Sequence, residues 1–353
     1  MDGSASAMAN ALSTGTEQRL LVLVQDGLAR SMGTQQRTVV FQIRRLLARI
    51  ENRALEAILL NRIKASFPLL DQPEALTAML QRYRSGYLSG KLSTLSMASQ
   101  PARRLPEVED APVDSYWLTQ PRKDRGVLLY TAGGGFILPA SQRQVDCAKQ
   151  FAEHAQCDGI LNGHRLAPEH PFPKPIEDTV ALYRWLLEQY RPEQITFSAD
   201  TAGASITLGA LQIIRQEKLP QPACVVLFSP WMDLSLSGWS YITKSSTSES
   251  PFRMETAAFC ARAYLADQMA TDPLASAIYA DLEGMPPLAI HTSRSDMHFD
   301  DALRLVENAN HAGVTAEINY WDSPRHHLER FNDAQAKQSL SLAAKFVQRM
   351  MAG

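Results

Sequence analysis

The sequence predicts an α/β fold in which a mostly parallel central sheet is covered by helices on both faces. Short apolar runs typical of strands alternate with helix-like stretches from about residue 126 to the C-terminus. Alternation of strands and helices of this kind favours a mostly parallel sheet that is covered on both faces. With 353 residues, of which 45% are hydrophobic, the chain is long enough to bury a large core.

Each element is predicted from its own pattern, in chain order. The first strand, at residues 127–130, ends at three consecutive glycines, which favour a turn. Further strands are predicted at residues 160–164, 195–197, 224–228, 288–291 and 316–320. Helices are predicted at about residues 148–155, 176–190, 202–216 and 302–312, and in a final stretch to about residue 350. Residues 234–280 have a mixed pattern and are predicted to contribute to a cap over the sheet.

The first 105 residues are predicted to form a helical cap region, followed by a core at residues 106–353. Residues 38–63 carry apolar side chains at near-helical spacing, interrupted by arginines. The favoured interpretation is a packing helix with a solvated basic face. A homodimer contact, a membrane surface and an acidic carrier protein are the alternatives for this basic helix. A polar, proline-bearing linker at residues 97–114 leads into the core.

The composition of the chain limits the kinds of binding partner and the cellular compartment that we expect. The formal net charge is -2, so nothing indicates nucleic acid, and a small, largely apolar substrate fits better. The four cysteines show neither metal spacing nor a disulfide pattern, which favours the cytoplasm. No run is long and apolar enough for a transmembrane segment, and the first 18 residues lack a signal-peptide pattern. No metal and no cofactor is predicted, because Gly133 to Gly135 fit neither a dinucleotide nor a P-loop motif.

The most informative motif is Ala-Asp-Thr-Ala-Gly at residues 199–203. It lies between a predicted strand and a predicted helix, where a nucleophile can ride a sharp turn with its hydroxyl above the sheet. Serine is the usual residue at the centre of such a turn, and here it is Thr201. A β-branched residue rotates less freely and tolerates a strained backbone poorly, so the hydroxyl is present but hindered.

Several segments together resemble the hormone-sensitive-lipase-like branch of the α/β-hydrolases in order and spacing. They are residues 130–136 (YTAGGGF), 164–173 (HRLAPEHPFP), 199–203 (ADTAG), 229–234 (SPWMDL) and 272–276 (DPLAS). The resemblance extends from about residue 126 to the C-terminus. It implies an α/β-hydrolase fold with a helical cap and a catalytic triad in the chain order nucleophile, acid, histidine.

The resemblance assigns the triad to Thr201, Asp296 and His326. Asp296 follows the predicted strand at 288–291, and His326 follows the strand at 316–320 and a turn. His327 is the alternative base. His326 is favoured because the family's base is followed two positions later by an apolar residue, which is Leu328 here.

The predicted oxyanion hole consists of backbone N–H groups of Gly133 and Gly134, with that of Ala202 at a helix N-terminus. Apolar residues in or beside the motifs are candidates for substrate binding, although packing is the more common role of such side chains. They are Phe136, Trp231, Phe252 and Met254.

Departures from the family pattern are concentrated at the site, at Ala132, Ala199, Thr201 and Ala204, and they weaken nucleophilic attack specifically. The retained base and oxyanion donors suffice for proton abstraction next to a carbonyl. The leading hypothesis is therefore elimination, dehydration, condensation or cyclisation of a carbonyl-bearing, apolar, biosynthetic intermediate. The plant 2-hydroxyisoflavanone dehydratases, which resemble this chain in carrying threonine at this turn, support it by analogy.

Two other functions stay open. The first alternative is hydrolysis or transfer of a carboxylic ester or thioester through an acyl-Thr201 intermediate, because threonine nucleophiles exist. The second alternative is a non-catalytic protein that has kept the pocket for binding a ligand.

Overall fold

The computed structural model describes residues 102–122, 124–244 and 254–352. Nearly all of the predicted cap region at 1–105, including the basic helix at 38–63, lies outside the described residues. So does Phe252. The division into cap and core therefore stays a prediction. Within the described residues, no helix is long and apolar enough to cross a membrane.

In the described part of the chain, seven strands form one sheet. They are β1 (Ser115–Trp117), β2 (Val127–Thr131), β3 (Asp158–Asn162), β4 (Ile195–Asp200), β5 (Cys224–Phe228), β6 (Leu288–Ser293) and β7 (Ala316–Trp321). Their order is β1-β3-β2-β4-β5-β6-β7. Every neighbouring pair is parallel except β1 and β3. The predicted α/β-hydrolase fold with a mostly parallel sheet is confirmed.

Helices alternate with these strands. They are α1 (Gln142–Ala155), α2 (Lys174–Leu187), α3 (Ala202–Gln216), α4 (Ser240–Thr243), α5 (Met254–Leu265), α6 (Phe299–His311) and α7 (Ala334–Met351). Short 3-10 turns lie at Pro192–Gln194, Ala277–Tyr279 and Leu328–Phe331. The mixed region at 234–280 thus contains α4, α5 and one such turn in its described parts.

The uniformly apolar strands are explained by a core on each face of the sheet. In β2, Val127 and Leu129 belong to one buried cluster, while Leu128 and Tyr130 belong to the other. Helices α2 and α3 cover the first face, and α1 and α7 cover the second. Because successive side chains of a strand point to opposite faces, burial on both sides requires apolar residues at every position.

The sharp turn between β4 and α3 is the position that organises the site. Thr201 joins them with φ 49° and ψ −117°, a strained backbone for a residue with a side chain. The glycine loop at residues 133–135 packs directly against this turn. A Cβ at Gly203 would lie 2.1 Å from the carbonyl oxygen of Thr131, and one at Gly133 would lie 2.9 Å from Cβ of Thr201. Only glycine therefore fits at either contact.

Candidate active site

Three predicted side chains meet at the carboxyl ends of three parallel strands of the sheet. Thr201 follows β4, Asp296 follows β6, and His326 follows β7. The distance from Thr201 Oγ1 to His326 Nε2 is 2.8 Å, and that from His326 Nδ1 to Asp296 Oδ2 is also 2.8 Å. All three residues are buried, with Thr201 and His326 each 3% exposed. The structure thus forms a continuous hydrogen-bonded chain from hydroxyl to carboxylate.

Electrostatic interactions determine which groups of this hydrogen-bonded triad carry a proton. Burial alone would raise the pKa of Asp296, but the charge of His326 and the hydrogen bonds from His298 and His326 hold it well below its ordinary value. Asp296 is therefore an anion and can only accept hydrogen bonds. His326 consequently donates Nδ1–H to Asp296 and presents the lone pair of Nε2 to the Thr201 hydroxyl. This is the tautomer that a general base needs.

His327, the alternative base, lies elsewhere. It adopts the left-handed region with φ 48° and ψ 64°, which turns its ring away from the hydroxyl of Thr201. Its Nδ1 lies 3.3 Å from Oδ2 of Asp200, and its ring stacks on Phe228. Burial lowers the pKa of His327 to about 4, despite the nearby Asp200 carboxylate. Of the two histidines, the structure brings His326 to Thr201.

Asp200 is the centre of a second hydrogen-bond network below the turn. Its carboxylate accepts hydrogen bonds from the Tyr130 hydroxyl at 2.6 Å and from the Gly133 N–H at 2.9 Å. Gln144 Nε2 lies 3.0 and 3.1 Å from its two oxygens, and Thr201 Oγ1 lies 3.2 Å from Oδ2. Although burial favours the neutral acid, His327 and these donors hold the pKa of Asp200 below its ordinary value. No role was predicted for Asp200 from its position in the sequence.

The network corrects the predicted oxyanion hole. Because the N–H of Gly133 is already donated to Asp200, it is not free to bind a substrate oxygen. Within the described residues, the N–H groups of Gly134 and Ala202 have no acceptor. Ala202 is the first residue of α3, whose initial N–H groups have no partner within the helix. Gly134 and Ala202 are therefore the donors of the predicted set that can face a substrate.

The predicted substrate-binding aromatics are corrected as well. Phe136 is 1% exposed and stacks on Tyr264, with ring centroids 3.9 Å apart. Trp231 is completely buried, and its indole N–H donates to the carbonyl of Asp233. Both side chains pack inside the core and have no surface left for a substrate. Met254 is partly buried and packs against the same core, and its predicted contact with a substrate stays a prediction.

A histidine that sequence analysis passed over lies beside Asp296. His298 Nδ1 is 3.2 Å from Asp296 Oδ1, and the backbone N–H of His298 donates to the same oxygen at 3.0 Å. Its signal in the sequence was the Asp-x-His spacing directly after a strand. Asp296, His298 and His326 each offer one ligand atom, and these atoms lie within 4.8 Å of one another. The absence of a metal site, which was predicted from spacing along the chain alone, stays a prediction.

A buried carboxyl group behind the site makes stability depend on pH. Burial raises the pKa of Glu329 to about 7, although Ser339 Oγ donates to it at 2.5 Å. Since the folded pKa lies above the ordinary 4.5, the folded state holds the extra proton, and stability falls as pH rises from about 4.5 to about 7. We expect Glu329→Gln to remove this fall and to gain roughly 3 kcal/mol over wild type at pH 8. Urea unfolding at pH 5 and pH 8 measures the difference.

The control for this prediction is Glu283→Gln, which removes a carboxylate exposed to solvent. It should keep the wild-type dependence of unfolding free energy on pH. If Glu329→Gln also keeps the wild-type dependence, the Glu329 carboxyl is not the group that titrates.

Comparison with known proteins identifies the family of the fold. The sequence profile of the alpha/beta hydrolase fold family matches residues 128–329. An acetyl-hydrolase of Streptomyces hygroscopicus is 33% identical over 236 residues, which cover 65% of this chain and 78% of the relative. An esterase of Acinetobacter venetianus is 28% identical over 224 residues, which cover 62% of this chain and 74% of the relative.

Solved structures show the same likeness. A crystal structure of an esterase from the bacterial hormone-sensitive lipase family superposes with a TM-score of 0.69 at 31% identity, covering 80% of this chain and 98% of that one. An esterase/lipase from an uncultured bacterium gives a TM-score of 0.67 at 27% identity, covering 79% of this chain and 99% of that one.

Proposed function

This chain belongs to the α/β-hydrolase fold family, in its hormone-sensitive-lipase-like branch, and on that basis we propose that it hydrolyses carboxylic esters through an acyl-Thr201 intermediate. The observation that carries the proposal is the contact of 2.8 Å between the Thr201 hydroxyl and Nε2 of a histidine that is itself held by a buried carboxylate. A base in this position can take the hydroxyl proton as the oxygen attacks a carbonyl.

The reaction proceeds in two halves. Thr201 Oγ1 attacks the ester carbonyl carbon while His326 Nε2 takes its proton, and the negative charge that develops on the carbonyl oxygen is stabilised by the N–H groups of Gly134 and Ala202. The C–O bond to the alcohol breaks as His326 returns the proton to the leaving oxygen. Water then attacks the acyl-Thr201 with His326 as base again, which releases the acid and restores the hydroxyl.

Hydrolysis is better supported than the elimination or cyclisation first predicted. The relatives are named esterases and acetyl-hydrolases, and the contact between Thr201 and His326 positions the hydroxyl for attack. An elimination would require the base and the oxyanion donors but no nucleophile. The name of the Streptomyces relative favours a short acyl chain such as acetyl.

The test is hydrolysis of p-nitrophenyl acetate and butyrate, combined with intact-protein mass after exposure to a fluorophosphonate. Wild type should release p-nitrophenol and gain one adduct, and Thr201→Ala should do neither. If wild type does neither while Thr201→Ser is labelled, the base and donors are intact around a hydroxyl that does not react. That outcome would return the non-hydrolytic hypothesis to first place.

Thr201→Ser is expected to raise kcat for p-nitrophenyl acetate by about tenfold. Thr201 holds a β-branched side chain at φ 49°, and removing its methyl group frees rotation about χ1 and lowers the strain of this backbone conformation. A tenfold change corresponds to about 1.4 kcal/mol of barrier. Initial rates at saturating substrate measure it.

Thr207→Ser is the matched control, because Thr207 is a buried threonine in helix α3, which begins directly after Thr201, and its hydroxyl has no hydrogen-bond partner within the described residues. It should leave kcat unchanged. A Thr201→Ser protein that is slower than wild type would mean that the methyl group holds the hydroxyl in place.

A further inference from the structure

His298 is the second histidine that contacts Asp296, the acid of the candidate triad. We propose that His298 is a positioning residue that holds Asp296 from the side opposite His326 and sets the lower pH limit of the reaction. The inference rests on the proposed function, because it assigns His298 a role in the same relay.

The contacts show that His298 and His326 share one carboxylate. His326 Nδ1 binds Oδ2 of Asp296, while Nδ1 and the backbone N–H of His298 bind Oδ1. With both oxygens held by separate donors, the carboxylate cannot rotate about its last bond without breaking a hydrogen bond. The plane of the carboxylate, and with it the direction of the His326 ring, is therefore fixed.

The ring of His298 is itself held rigidly. It is completely buried, it meets Tyr241 edge-on with centroids 5.6 Å apart, and it lies 5.7 Å from the ring of Trp231. Its centroid is 5.2 Å from that of His326. Within the described residues, Nε2 of His298 has no hydrogen-bond partner. The bond to Asp296 is thus the one polar interaction of this ring in that part of the chain.

The charge of His298 follows from its surroundings. Burial lowers the pKa of His298, and this effect exceeds the opposing effect of Asp296. At neutral pH the ring is therefore uncharged, with its proton on Nδ1. A neutral donor withdraws electron density from Asp296, so less negative charge faces His326. Loss of this donor would leave more negative charge facing His326, so we expect variants that lack it to need a higher pH for activity.

Other titratable or charged groups lie around Asp296, His298 and His326. They are Tyr241 and Lys244 from α4 and the residue after it, Asp200 beside Thr201, and His327, Glu329 and Arg330 from the segment after His326. The carboxylates of Asp300 and Asp301 on α6 accept hydrogen bonds from residues 232–241. None of these groups changes in variants of His298, so a change in pH dependence reports His298 alone.

The activity test compares His298→Asn with His298→Gln and His298→Leu. The side-chain nitrogen of asparagine can take the place of Nδ1, whereas that of glutamine reaches further and leucine has none. For p-nitrophenyl acetate, we expect the acidic limb of kcat against pH to move up by about one pH unit in the glutamine and leucine variants. It should stay at the wild-type position in His298→Asn, with KM little changed in all three. Equal loss of kcat at every pH, with the limb unmoved, would make His298 a packing residue only.

A second readout is independent of activity. In Thr201→Ala protein, the proton shared by His326 Nδ1 and Asp296 can be followed by its downfield NMR resonance. Removing the competing donor strengthens this hydrogen bond, so the resonance should move further downfield in His298→Leu and stay in place in His298→Asn. An unmoved resonance in both would overturn the inference even if wild type proves to be an esterase. A moved resonance would support it even if wild type hydrolyses no ester.

Discussion

Replacing His326 by asparagine is expected to lower kcat for p-nitrophenyl acetate by about a thousandfold. The imidazole Nε2 that lies 2.8 Å from the Thr201 hydroxyl is lost, and the amide has no group that can take a proton there. Because the side-chain nitrogen of asparagine can still donate to Asp296, the fold around the site should be preserved. The backbone donors of Gly134 and Ala202 should leave a residual rate above that in water. Steady-state kinetics with circular dichroism as a folding check measure the effect.

The same substitution at the neighbouring His327 serves as the control. His327 occupies the left-handed region, which asparagine tolerates better than most residues, and the amide nitrogen can take the place of Nδ1, which lies 3.3 Å from Oδ2 of Asp200. We therefore expect His327→Asn to keep kcat within about a factor of three of wild type. Comparable losses in both variants would mean that His326 is not the base of the relay.

The fold was predictable because its strands are buried on both faces and therefore carry an unbroken apolar pattern. The two edge strands are exceptions. β1 has only three residues, pairs antiparallel to β3 and is only partly buried at Tyr116 and Trp117. β7 contains Glu317 and Asn319 and has no fully buried residue. Helix α1 begins six residues earlier than predicted, at Gln142 instead of 148. Its first turn is polar, and the missed signal was the capping box of Ser141 and Gln144.

The site was predictable where a residue follows directly from its place on a strand and from the family resemblance. Thr201, Asp296 and His326 are of this kind. The choice between His326 and His327 depends on the backbone direction after β7, which adjacent positions in a sequence do not reveal. The hydrogen bond from Gly133 to Asp200 depends on how closely the glycine loop approaches the turn. Such contacts between distant segments are set by packing, so local patterns do not contain them.

Replacing Asp200 by asparagine is expected to lower kcat by about a hundredfold and the free energy of unfolding by roughly 3 kcal/mol. The two oxygens of Asp200 are surrounded by hydrogen-bond donors. These donors are Tyr130, Gly133 and Gln144. In asparagine, one of these oxygens is replaced by an NH2 group, which is itself a donor and cannot accept a hydrogen bond. The glycine loop would lose its tie to the turn, so the N–H of Gly134 would move away from the position of the oxyanion. KM should change much less than kcat, because the loop acts on the transition state.

Asp301→Asn is the matched control, since Asp301 is another fully buried carboxyl group that accepts from several donors. Its Oδ2 accepts from the N–H groups of Met232 and Asp233 and from the Tyr241 hydroxyl, and its Oδ1 has no partner within the described residues. Burial and the nearby Asp233 raise the pKa of Asp301 well above its ordinary value, which disfavours the charged form, and an amide preserves its accepting oxygen.

Asp301→Asn should therefore leave kcat unchanged and lower the free energy of unfolding by about 1 kcal/mol at most. Equal losses in both variants would show that any buried carboxyl group in this protein matters to the same degree. A loss of kcat confined to Asp200→Asn would show that the Asp200 carboxylate has a specific role. It is adjacent to Thr201 in the chain and binds the first residue of the glycine loop, so it would fix the position of the nucleophile relative to the oxyanion donors.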